Sequence, residues 1–139
     1  MSYLDTKQAL LTKLLATSIT GITTADIDFE NSDLIPFSKT KYLSASFLPA
    51  SSDTTGKELN ARQERRGIFQ VSIFIKLNGG SYDNDQLQIV DDLEVGFAYG
   101  STATYNEKTV SILESSINNG RESGAWYQRD FSVVYLTIY

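Results

Sequence analysis

With 139 residues, no cysteine and no histidine, the chain lacks the usual general base at neutral pH, the Ser-His and Cys-His nucleophile pairs, thiolate metal sites and disulfides. Twelve basic against seventeen acidic residues leave a net charge of -5, the wrong sign for neutralising phosphates over a broad surface. The length fits one domain, residues 1–139, with a core that needs no metal or disulfide staple; the missing histidine and cysteine remove most hydrolase and metalloenzyme mechanisms, and no cofactor is expected; no apolar run approaches the roughly 18 residues that span a bilayer, so the expectation is a soluble, cytosolic chain.

Ser2 and Asp5 have capping-box spacing, and Leu4, Leu11, Leu14 and Leu15 fall on one helical face, which predicts a helix from about Tyr3 to Thr17 covering a sheet. Its polar face is not markedly basic, which argues against a membrane-surface helix. Ile19 to Ser38, with Gly21, repeated threonines and the acids Asp26, Asp28, Glu30 and Asp33, reads as loop with at most a short strand. Tyr42 to Leu48 alternates, placing Leu43, Ala45 and Phe47 on one face, and Pro49 is expected to end its ladder.

Ala50 to Glu64 is polar, with Leu59 its single large aliphatic residue, and predicts a long mobile hairpin connection or arm over 50–66. Lys57 and Arg62 within it, and Arg65 and Arg66 at its end, read either as solvated charges or as an arm that orders against a neighbouring subunit. The strongest strand signal follows. From Phe69 every second residue is apolar (Phe69, Val71, Ile73, Ile75, Leu77), and Asn78-Gly79-Gly80 stops the run with residues that tolerate positive φ. Tyr42 to Leu48 is its expected partner strand.

Ser81 to Phe97 carries Leu87, Val90, Leu93 and Phe97 at helical spacing, with Asp83 and Asp85 in the first turn, where the helix dipole favours negative charge. The outer face of this second helix is acidic through Asp91, Asp92 and Glu94; adjacent helix positions point about 100° apart, so Asp91 and Asp92 do not make a jointly held site. Thr102 to Tyr105 and Thr109 to Ile117 read as strands joined by Asn106-Glu107, and Asn118-Asn119-Gly120 turns into a last strand, Ala125 to Tyr139. That strand is apolar in both phases, Phe131, Val133 and Tyr135 against Val134, Leu136 and Ile138, and an apolar face left in water marks an interaction site. Phosphate loops, dinucleotide fingerprints, acidic calcium loops and internal repeats do not occur.

The order of elements, with Arg66-Gly67-Ile68-Phe69-Gln70-Val71-Ser72-Ile73-Phe74-Ile75, then Ile89-Val90-Asp91-Asp92-Leu93, then Gly124-Ala125-Trp126-Tyr127-Gln128-Arg129-Asp130-Phe131-Ser132-Val133-Val134-Tyr135, resembles the tail terminator-like (tail completion) proteins of long-tailed bacteriophages. The resemblance implies an α+β subunit: a mostly antiparallel sheet of about four to five strands packed with two main helices, plus the long mobile arm. It implies a non-enzymatic structural subunit that forms a hexameric ring, caps the tail tube, stops its elongation and meets the head-tail connector, while DNA passes through without specific binding. The place of such a protein is the virion tail, assembled in the cytoplasm of the bacterial host. On this reading Lys57, Arg62, Arg65 and Arg66, with Val134, Leu136 and Ile138, are interface residues, and Asp91, Asp92 and Glu94, or the acids between Asp26 and Asp33, line the channel. Two alternatives stand beside it: another head-tail connector or tail-tube subunit, and a small-ligand binding α+β domain built around a cavity with convergent polar groups.

Overall fold

Alternation along Gln63–Lys76 (β3) buries Phe69, Val71, Ile73 and Ile75 on one face, and this strand occupies the middle of the sheet. In the computed structural model, which describes residues 3–30, 39–54, 63–77 and 82–138, β3 pairs antiparallel with Lys41–Thr54 (β2) on one side and Trp126–Ile138 (β7) on the other. Ile27–Asp28 (β1) lies parallel to β2. On the far side of β7 come Lys108–Ile117 (β5) and Thr102–Tyr105 (β4), and Arg121–Ser123 (β6) also pairs with β7.

The resulting seven-stranded sheet, in the order β1-β2-β3-β7-β5-β4, is larger than the about four to five strands expected, and the β1–β2 pair makes it mixed. The strands missing from the expectation, β1 and β6, hold two and three residues, too few for a two-residue period to show. The hairpin between β4 and β5 is as expected: Asn106 and Glu107 both take positive φ, the conformation of a tight two-residue turn.

Two helices, Tyr3–Ala16 (α1) and Asn84–Gly96 (α2), cover one face of the sheet and enclose a single core. Phe97, just past α2, sits with its ring 5.9 Å from Phe69 and 6.4 Å from Phe131, so helix, β3 and β7 meet at one aromatic cluster. The first turn of α2 is tied to the sheet by Gln86, fully buried, which donates to the carbonyls of Ile73 (3.0 Å) and Tyr127 (3.1 Å) and accepts from Arg129 Nε. The C-terminal ends of the helices touch closely: a Cβ on Gly96 would overlap Thr17 Oγ1.

The face of α1 that packs inward is not the expected one. Thr6, Ala9, Leu10 and Leu14 are buried, whereas Leu4 is 64% exposed and Leu15 also faces solvent; Leu87 of α2 is likewise more exposed than its spacing suggested. At about 100° per residue the α1 leucines form two stripes that share Leu14, and the stripe carrying the small residues Thr6 and Ala9 is the one that lets the helix approach the strands. Leu11 sits at the margin of the core.

Pro49 does not end the β2 ladder. Pairing continues from Ser51↔Arg66 to Thr54↔Gln63, with one register shift around Ala50. The physical reason is the strand's edge position. The N–H of Phe47 points away from β3, to the carboxylate of Glu30, and Pro49, two residues on, shares that direction, so its missing N–H costs no bond to β3. Much of the segment expected to be a mobile arm is therefore paired strand; residues 55–62 lie outside the described residues.

Candidate assembly surface

The sheet has a second face on which neither described helix packs, and cross-strand register lays it out in rows. Tyr42 and Phe74 stack at 4.6 Å, with Trp126 edge-on to Tyr42 at 5.0 Å. Next come Ser44, Ser72 and Asp130, then Ser46, Gln70 and Ser132. The following row is apolar: Leu48, Ile68 and Val134, with Leu136 beside it and Arg66 paired to Leu136. Leu48 is 47% and Ile68 38% exposed, and Val134 and Leu136 are half-buried. This apolar row across three strands is separated from the aromatic row by two polar rows, and solvent-facing apolar patches of this kind are where interaction sites are sought.

The polar rows are held rigid by Asp130, a buried residue in β7. Its Oδ1 accepts from Ser72 Oγ (2.7 Å) and Gln128 Nε2 (3.0 Å), and its Oδ2 from Asn118 Nδ2 (2.8 Å) and Arg121 Nη2 (3.0 Å). Burial by itself pushes this carboxyl's pKa up, but the bonds from Ser72, Gln128, Asn118 and Arg121 together outweigh it and hold the pKa below the ordinary carboxylate value. Asn118 returns a bond through Oδ1 to the Asp130 N–H, which pins the corner between β5 and β6. The network is satisfied within the fold, so Asp130 organises the surface rather than awaiting a ligand.

The structure separates residues that the sequence reading had grouped. Arg66 faces the apolar row, where its Nε and Nη2 hold Glu64 at 3.1 and 2.8 Å. Arg65 points to the opposite side of the strand and lies over the Tyr3 ring, 4.1 Å from its centroid. Val134 and Leu136 share the outer face with Arg66. Ile138 is opposite Glu64 in register, while its side chain, Lys57 and Arg62 lie outside the described residues. On α2, Asp91 and Glu94 are exposed, but Asp92 accepts from the Thr20 N–H (2.9 Å) and from Gln88 (3.3 Å). The Thr20 bond is the largest cause holding the Asp92 pKa low. Asp26 is likewise engaged, at 2.8 Å from Lys39.

Leu48, Ile68 and Asp130 escaped the sequence reading. The two apolar residues occupy the polar phase of their strands, and the signal available was that each interrupts its own alternation.

No group of three or more metal-ligating side chains occurs among the described residues. A groove of about 370 Å³ between the helix ends is lined by Lys13, Thr17, Asp92, Val95 and Gly96, among others. Its two charged groups are already committed, Lys13 to the Thr102 carbonyl at 3.0 Å and Asp92 to Thr20, so they do not converge on a ligand.

The family model for the phage tail terminator protein matches residues 7–135. No curated protein sequence matches the chain. One solved structure, whose name states no function, superposes with a TM-score of 0.73 at 19% identity, covering 99% of this chain and 96% of its own; that likeness shows the fold alone.

Proposed function

Because this chain belongs to the phage tail terminator family, and is thereby a structural component of a phage tail, we propose that its copies close into a hexameric ring on the end of the tail tube. The ring stops tube elongation and presents a joining surface to the head-tail connector, and DNA passes through its centre without specific contacts. The subunit works by association and performs no catalysis. It is made and assembled in the cytoplasm of the bacterial host.

The observation that carries this reading is the uncovered sheet face, where Leu48, Ile68 and Val134 align beside Arg66. A family whose members act in tail assembly needs such a face, and neither described helix covers it. Lys57, Arg62 and Ile138, whose side chains lie outside the described residues, are proposed to belong to the same interface. Apolar anchors of this kind supply most of the affinity of an interface, and the cations at their rim set its register.

The test is to polymerise the tail-tube protein of the same phage in the presence of this chain and to examine the tubes by electron microscopy. The proposal predicts shorter tubes, each with added density at one end. Tubes of unchanged length, or decoration along the whole wall, would contradict it and favour a connector or tube subunit.

A further inference from the structure

We infer, independently of the assembly reading, that Asn119 is a site of spontaneous covalent modification: in the folded chain the backbone nitrogen of Gly120 attacks its side-chain amide, and the residue matures to aspartate and isoaspartate. The site is the corner between β5 and β6, where Asn118-Asn119-Gly120 joins Ile117 to Arg121. An asparagine is open to this attack when the next residue has no side chain to crowd the nitrogen and leaves the local φ/ψ free to bring the reacting atoms together. Asn119-Gly120 meets that condition in its sequence.

The fold then treats two neighbouring asparagines differently. Asn118 is committed on every side: its Nδ2 donates to Asp130 Oδ2 (2.8 Å), its Oδ1 accepts from the Asp130 N–H (2.8 Å), its own N–H donates to the Asp130 carbonyl (3.2 Å), and its carbonyl accepts from Arg129 Nη1 (3.0 Å). A side chain so held does not swing back onto its own backbone. Asn119 is exposed and lies outside both strands, and none of the bonds that pin the corner uses its amide. Gly120 is itself required by the packing, because a Cβ there would overlap the Tyr127 ring. The contact that excludes a side chain at position 120 thus leaves the bond ahead of it reactive.

The step balances with water as the only co-reactant. Gly120 N gives its proton to solvent and bonds to Asn119 Cγ; the Cγ–Nδ2 bond breaks, and the amide nitrogen takes up a proton and leaves as ammonia, closing a five-membered succinimide. Water then opens the ring at Cγ, giving aspartate, or at the backbone carbonyl, giving isoaspartate. Either product adds one negative charge to the chain's -5. Isoaspartate also lengthens the main chain by one carbon between Asn118, which is pinned, and Arg121, which pairs with Gln128.

The test holds the wild-type chain at mildly alkaline pH, folded in one sample and unfolded in guanidinium chloride in another, and takes a time course of tryptic digests. Cleavage after Lys108 and Arg121 isolates the site in peptide 109–121, apart from Asn78-Gly79. Electron-transfer fragmentation locates the modified residue and separates aspartate from isoaspartate. The expected result is a gain of about one mass unit at Asn119 and none at Asn118, at a folded-state rate within about fivefold of the unfolded chain, and no gain in this peptide from Asn119→Gln. Folding that slows the reaction by more than this shows the corner held away from the attacking geometry and overturns the inference. A gain located at Asn118, or one that persists in Asn119→Gln, overturns it as well.

Discussion

Replacing Asp130 with Asn keeps the side chain's shape but removes its charge, and the geometry indicates how much that costs. Four side-chain donors converge on the carboxylate, two on each oxygen. An amide can turn its NH2 toward either pair. Facing Asn118 and Arg121 it opposes two fixed donors; facing Ser72 and Gln128 it opposes one, because the Ser72 hydroxyl can rotate to accept. The second orientation loses the Gln128 bond and the charge assistance from Arg121, which together are worth about 2 kcal/mol. For a domain of this size that corresponds to about 6–8 °C in Tm. Urea unfolding of dilute protein, followed by the fluorescence of the single tryptophan, Trp126, would measure it. The sign with pH follows from the lowered folded pKa. The carboxylate's contribution is complete above the unfolded value, near 3.8, and is lost as pH falls through the folded pKa. The gap between wild type and Asp130→Asn should therefore be full at pH 7 and shrink below about pH 4. A gap under about 0.5 kcal/mol at pH 7, or one that does not change on acidification, would refute the reasoning.

Three further outcomes are expected. Gly67→Ala places a Cβ onto Tyr135 Oη and 2.8 Å from the Leu48 carbonyl, so it should destabilise by about 2–3 kcal/mol in urea unfolding, and Tyr135→Phe should relieve part of the loss. Gly96→Ala drives a Cβ into Thr17 Oγ1; the double change with Thr17→Ala should be less destabilised than the sum of the two singles, which a double-mutant cycle reads directly. The Tyr135 hydroxyl has its pKa pushed up to about 12, first by burial and then by the charge of Tyr3. A raised folded pKa gives stability that is intact below pH 10 and declines as pH rises toward 12, so Tyr135→Phe should flatten the alkaline loss of stability.

The legible parts of the fold were those in which a single period decides the outcome. β3 buries Phe69 through Ile75 in the expected alternation, α2 buries Val90 and Leu93, and the β4–β5 turn falls at Asn106-Glu107 as read. Where two patterns competed, the reading failed. In α1 two leucine stripes share Leu14, and close approach through Thr6 and Ala9 chose between them. Pro49 reads as a breaker in isolation, but the direction of the Phe47 N–H puts it at an edge where no ladder bond is lost.

The candidate surface was half visible for a similar reason. Val134 and Leu136 stand out because β7 is apolar in both phases. Leu48 and Ile68 gain meaning only when register sets them beside Val134. The grouping of Arg65 with Arg66 overlooked that adjacent strand residues point to opposite faces. The Asp130 network joins residues as far apart as Ser72 and Asp130, a pairing that no local pattern encodes.

The most direct measurement of the central claim is the solution mass of the wild-type chain and of Ile68→Asp, by light scattering over a wide concentration range. The account predicts that the wild type rises from subunit to one closed six-fold species without larger polymer, and that Ile68→Asp remains a folded monomer throughout. Indistinguishable masses for the two chains, or an open-ended polymer from the wild type, would contradict it.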